Sequence, residues 1–126
     1  MSHPVEELLN VNLMKVIINN IIPFKGYTAM TVYPFIFARK PLSTITLNHE
    51  YIHGEQQKET LLIFFLLLYV LEYIIKLIIT FNFNRAYESI SFEREAYMYE
   101  HDMKYLSERK RYNWIKYIFS LSNYGA

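Results

Sequence analysis

The 126-residue sequence contains no cysteine. Disulfide bonds, thiolate metal ligands and a cysteine nucleophile are therefore excluded, and any bound metal must be held by His, Asp or Glu. Glycine is scarce, with 3 residues, so no loop is available to cradle phosphates. The formal net charge of +1 is far from the positive field on which nucleic-acid binding depends, and no nucleic-acid partner is expected. Basic residues are also missing from the start of the chain. Glu6 and Glu7 stand where a signal peptide would carry its cations, so none is expected. There is no internal repeat, low-complexity segment or linker, and the length suits a single domain over residues 1–126. Aromatic rings, by contrast, are abundant: 12 Tyr and 9 Phe in a chain that is 52% hydrophobic. Such a surplus suits a dense core with ring hydroxyls at its polar boundaries, or a membrane interface.

The most informative stretch is 48–58, NHEYIHGEQQK. His49, Glu50 and His53 match the pattern H-E-x-x-H. On a helix, residues four apart lie on one face, so His49 and His53 can offer two imidazole nitrogens to one cation. Glu50 lies about 100° further round, within reach of a water on that cation. This is what catalytic zinc requires: neutral nitrogen ligands, a third protein ligand, an open position and a carboxylate to take the water's proton. Two structural histidines facing a polar core would leave the same pattern, and only a third ligand separates the readings. Ser43 and Thr44 are candidate N-caps for this helix, which is expected from about Thr46 to Lys58.

Other segments set the framework. Residues 5–22 carry apolar pairs spaced more like a helix than a strand, ended by Pro23. Residues 27–38 are rich in β-branched and aromatic side chains. Pro34 marks an edge strand, a bulge or a break between two short strands. An edge strand beside a zinc site can receive an extended peptide by strand addition. Residues 61–81 are apolar without a break from Leu61 to Leu71, and Glu72 and Lys76 then stand four apart, able to pair. A buried core helix and a membrane-embedded or membrane-lying helix both fit. Ser91 is a plausible N-cap for a helix reaching about Leu106. The tail mixes Arg109, Lys110, Arg111 and Lys116 with Tyr112, Trp114 and Tyr117. That suits a packed terminal helix with a solvated basic face, or a helix on an acidic membrane surface.

Candidates for the third ligand are Glu88, Glu93, Glu95, Glu100, His101 and Asp102. The string Phe92-Glu93-Arg94-Glu95-Ala96-Tyr97 resembles the third-ligand helix of gluzincin-type zinc metallopeptidases, a pattern shared by membrane-bound prenyl proteases and several minimal metallopeptidases. Carried over residue by residue, the resemblance implies His49, His53 and Glu93 as ligands of Zn2+ and Glu50 as general base. Tyr97 departs from it, standing where the family commonly has an Asp that orients a ligand histidine. The Tyr97 hydroxyl could donate to a ligand carboxylate or to a tetrahedral oxyanion, or belong to a core tyrosine. Tyr87 and His101 are weaker oxyanion candidates. A wider resemblance, over most of residues 23–112, is to small proteins of Bacteroides-type bacteria with the stretches seen here at Asn48–Glu59 and Ile90–Tyr97. It implies a metallopeptidase-like family.

The expected protein is α+β and mostly helical, a minimal zincin-like core with a short β element and three or more packed helices. Its expected activity is hydrolysis of peptide bonds in a peptide or protein substrate by a zinc-activated water. The rival is a non-catalytic metal-stapled or membrane-associated binding protein with a decayed site. The expected location is cytoplasmic, or on the cytoplasmic membrane.

Overall fold

The computed structural model describes residues 14–124. Three short strands precede the helices: β1 (Lys15–Ile18), β2 (Ala29–Val32) and β3 (Phe35–Ala38). The helices are α1 (Thr44–Glu59), α2 (Ile63–Thr80), α3 (Phe83–Ser89), α4 (Ser91–Tyr99) and α5 (Tyr105–Glu108), followed by a 3-10 helix at Asn113–Tyr117. The fold is thus α+β and mostly helical, as the sequence implies.

Pro34 separates β2 from β3, which form an antiparallel hairpin pairing Thr31 with Ile36. β1 then pairs with β3 in parallel, giving the order β1-β3-β2. The helix expected over residues 5–22 is corrected here, because 15–18 form a strand; residues 5–13 lie outside the described part. Val16 and Ile17 are β-branched and suit a strand once β3 offers an edge to pair with. That edge comes from 20 residues further on, which local spacing does not reveal.

α1 begins where expected: Ser43 is its N-cap, and the hydroxyl accepts from the Thr46 amide at 3.2 Å. It runs between the sheet and α4. On one side Leu47 and Tyr51 join Met14 and Ile36, and on the other Ile52 packs with Ala96 and Tyr105. Gly54 is buried, and a Cβ there would come within 2.3 Å of the Met14 sulfur. The missing side chain lets the chain entering β1 lie against the helix just beyond His53.

α2 follows after the rare, strained form of γ-turn centred on Leu62 (φ 58°, ψ −50°). By length and composition it could cross a membrane, with a mean hydropathy of 2.3. Its buried residues are Phe65, Glu72 and Lys76, while its leucines and isoleucines point mostly outward. Glu72 and Lys76 pair at 3.3 Å as expected. Glu72 also accepts from the Ser91 amide at 2.9 Å and the Ser91 hydroxyl at 2.5 Å, capping α4 from outside, and Lys76 donates to the Ser89 carbonyl. Ser91 is therefore the first residue of α4 and not its cap, which is Ile90. The single helix expected from Ser91 to Leu106 is also corrected, since α4 ends at Tyr99 and α5 resumes at Tyr105. The tail packs through Trp114, whose ring lies 4.5 Å from that of Phe92.

Candidate metal centre

α1 and α4 bring His49, His53 and Glu93 together. The Nε2 atoms of His49 and His53 are 3.1 Å apart, and Glu93 Oε1 lies 3.1 Å from each. The three donor atoms form an equilateral triangle. All three residues are buried, with Glu93 only 3% exposed.

The remaining ring nitrogens fix the tautomers. His49 Nδ1 donates to Glu100 Oε1 at 2.8 Å, since a carboxylate only accepts. His53 Nδ1 donates to Gln56 Oε1 at 2.8 Å. The orientation of that amide is set by its nitrogen, which donates to the Phe92 carbonyl and to Glu95 Oε1, both at 3.0 Å. With both Nδ1 protons so placed, neutral rings aim two Nε2 lone pairs at each other and at a carboxylate oxygen. Three acceptors then converge, an arrangement that a metal ion, or a proton on an imidazole, would satisfy. Ligand atoms of a tetrahedral zinc site with bonds of about 2.0–2.1 Å stand roughly 3.3 Å apart. The observed triangle fits that spacing, and its ligand types suit a divalent metal such as zinc. His49, Glu50 and His53 also offer ligand atoms lying within 4.8 Å of one another.

Without a metal, protons must balance the site. Burial opposes charge on His49, but the Glu100 and Glu93 carboxylates outweigh it and push its pKa up to about 10. Burial likewise opposes charge on His53, and Glu93 overrides it, raising that pKa. Burial alone would raise the Glu93 pKa, yet the two imidazoles hold it well below the usual carboxylate range.

A further shell holds these groups in place. Tyr69 of α2 donates to Glu93 Oε2 at 2.6 Å. The Asn48 amide lies 3.3, 2.8 and 3.1 Å from the carbonyls of Tyr99, Glu100 and Asp102, tying the end of α4 to α1 and placing Glu100 beside His49. Glu95 accepts from Gln56, from Tyr105 at 2.5 Å and from Arg109, which also pairs with Glu59. Glu50 Oε1 accepts from the Thr31 hydroxyl of β2 at 2.7 Å. Gln57 bridges to the same hairpin, donating to the Thr31 carbonyl at 2.8 Å and accepting from the Tyr33 amide at 2.7 Å.

Two clefts meet at the centre. One, of about 690 Å³, is lined by His49, Glu50, Tyr87, Tyr97 and Glu100. The other, of about 520 Å³, is lined by His53, Glu93, Phe65, Leu66 and the apolar loop Ile21–Phe24. Glu50, Tyr69 and Tyr87 line both.

The structure therefore brings together His49, Glu50, His53 and Glu93. It sets Tyr97 beside them, its ring 4.5 Å from that of His49 and edge-on. The hydroxyl that meets the Glu93 carboxylate is that of Tyr69, not Tyr97. Burial pushes the Tyr97 pKa up to about 12, and its ring stands edge-on to that of Tyr87 at 6.4 Å. His101 is exposed and outside the site, as is Asp102. Glu95 is buried against Arg109 and holds second place behind Gln56. Sequence reasoning missed two partners, Tyr69 and the role of Glu100. The only available signal for Glu100 was a carboxylate one turn or so beyond the position that lacks the expected Asp.

Neither a family model, nor a curated protein, nor a solved structure matches the chain. The site must be read from its own chemistry.

Proposed function

We propose that the chain is a zinc-dependent hydrolase of peptide bonds. One observation carries this reading: Glu93 Oε1 and two imidazole nitrogens converge at 3.1 Å spacing, on histidines whose other nitrogens already donate elsewhere, beside the Glu50 carboxylate that Thr31 holds by one oxygen. His49, His53 and Glu93 would hold the metal. A bound zinc would supply Lewis-acid activation of water and of the scissile carbonyl.

The chain's own residues supply the rest. Thr31 anchors one oxygen of Glu50, which keeps the carboxylate on the cleft walls, where it accepts the proton of the attacking water and returns it to the leaving amine. Tyr97, protonated at neutral pH and lining the same cleft as His49 and Glu50, donates to the oxyanion as it develops. β2 is an edge strand whose outward side Gln57 covers from the Thr31 carbonyl onward, so an extended polypeptide can align at its start, where Ala29 lines both clefts.

A structural metal staple is the second reading, favoured by the burial of all three ligands. The two part at Glu50, for which a staple has no use. Elemental analysis should give about one zinc per chain, lost in His49→Ala and Glu93→Ala and kept in Glu50→Gln. Glu50→Gln should then abolish cleavage of a casein substrate, and Tyr97→Phe should lower kcat by about 10²-fold with zinc unchanged. Zinc without any Glu50-dependent cleavage would leave the staple; equal zinc in wild type and Glu93→Ala would refute the ligand set.

A further inference from the structure

α2 is built inside out for a helix in water. Every exposed residue on it is apolar, and both of its ionic residues are buried. At about 100° per residue, the exposed positions from Ile63 to Ile79 span an arc of roughly 220°. A helix packing on a partner presents a stripe nearer 100°, so one partner helix or a second copy would leave about half of this arc in water. Lipid covers an arc of any width.

The apolar surface continues beyond the helix. Leu66 lies at the rim of the 520 Å³ cleft, and across that rim stand Ile21 and Phe24, 78% and 82% exposed. These tips are held outward. Asn19 Oδ1 accepts from the Ile21 and Ile22 amides at 2.8 and 2.7 Å, and Arg39 donates to the Pro23 carbonyl at 2.6 Å. Lys25 follows Phe24 and is exposed, a cation placed where an inserted ring meets headgroups.

The helix orientation follows from its neighbours. α2 is about 27 Å long, close to a hydrocarbon thickness. Yet α3 folds back against its inner side carrying Arg85 and Glu88, both partly exposed, and the polar cleft opens nearby at Asn84 and Glu100. A spanning helix would drag these groups into hydrocarbon. A helix lying in the plane keeps them in water.

We propose that α2 lies in the plane of one lipid leaflet, with its outer face in the acyl layer and the apolar cleft between Leu66 and Phe24 opening into it. The partner is a lipid bilayer. Taken with the hydrolase reading, on which this last step rests, the substrate is a polypeptide whose apolar segment is itself held in the leaflet.

The lack of cysteine makes the test clean. Single cysteines replace Phe24, Leu66, Leu67, Ile74 and Ile78, with Glu88 and Lys110 as water-facing controls. Each carries a nitroxide, and the protein is bound to phosphatidylcholine vesicles. The first five labels should meet a water-soluble nickel chelate about five-fold or more less often than the controls, and those at Leu67, Ile74 and Ile78, which share one line along the helix, should lie at one depth. The unlabelled wild-type chain should float with the same vesicles. Nickel access equal to that at Lys110 would overturn lipid contact. A depth that grades from Leu67 to Ile78, with Glu88 shielded, would overturn the in-plane placement. Shielding in lipid-free solution with spin–spin broadening would assign the face to a second copy instead. The map needs no turnover, so this docking and the hydrolase reading fail separately: a lipid-bound chain without zinc refutes only the latter.

Discussion

Each imidazole at the centre divides its two nitrogens between separate tasks, and the division decides what each neighbour is for. Glu100 fixes the tautomer of His49 and adds negative charge behind it. Glu100→Gln keeps an acceptor but removes that charge, so zinc affinity should fall about 10- to 100-fold in a chelator competition. Protons compete for the same atoms. In the metal-free protein the His49 pKa is raised from 6.5 to about 10, so its contribution to stability is complete below pH 6.5 and lost as pH rises to 10. The Glu93 pKa is lowered from 4.5, so its contribution is present above pH 4.5 and lost on acidification. Urea denaturation of metal-free protein should therefore give greatest stability from these groups between about pH 4.5 and 6.5. Zinc should remove the alkaline loss, and a metal-free chain equally stable at pH 6 and pH 9 would contradict the paired site. At this scale the motif was legible because four-residue spacing on a helix fixes which nitrogens converge. Tyr69 was not, because an apolar run gives no sign that one of its hydroxyls turns inward. Nor was the role of Glu100, which depends on the break after Tyr99 that Asn48 holds in place.

α1 is buried on nearly all sides, yet many of its buried residues are polar: Asn48, His49, Glu50, His53, Gln56 and Gln57. Such a helix has little amphipathic signal, and its place comes from hydrogen bonds to β2, α4 and the segment after α5. The most exposed weakness of that arrangement is Arg109, whose guanidinium pairs with both Glu59 and fully buried Glu95. Arg109→Ala leaves two carboxylates uncompensated and should cost about 3–5 kcal/mol in urea melts. A loss under 1 kcal/mol would mean that water replaces the guanidinium. Some elements were plain in the sequence. The Ser43 cap and the Pro34 break act locally, and each is among the alternatives the sequence offers at its position. β1 was not, since KVII becomes a strand only against β3. The division of the expected 91–106 helix into α4 and α5 also escaped local reading, because its cause is Asn48, on another helix.

For the whole molecule, the decisive contact is the one between α1 and α4, since the candidate ligands come from both. A chelator should lower the melting temperature. At free zinc 100-fold above Kd the metal adds about 2.7 kcal/mol to stability, and His49→Ala should lack that increment. Identical melting with and without chelator would argue against a resident metal. The apolarity of residues 61–81 was evident from the sequence, but its direction was not, because which side a helix shows depends on what Glu72 and Lys76 find to pair with. The order of the elements has one more outcome. His53 and Glu93 are 40 positions apart, and all of α2 lies between them. A metal bridging the two is a buckle on that belt of chain. On the scale for covalent cross-links, closing such a loop is worth about 4 kcal/mol of unfolded-chain entropy. Loosening the buckle would slacken the very segment proposed to meet the lipid, so on both proposals metal supply and membrane seating would be joined through a single loop.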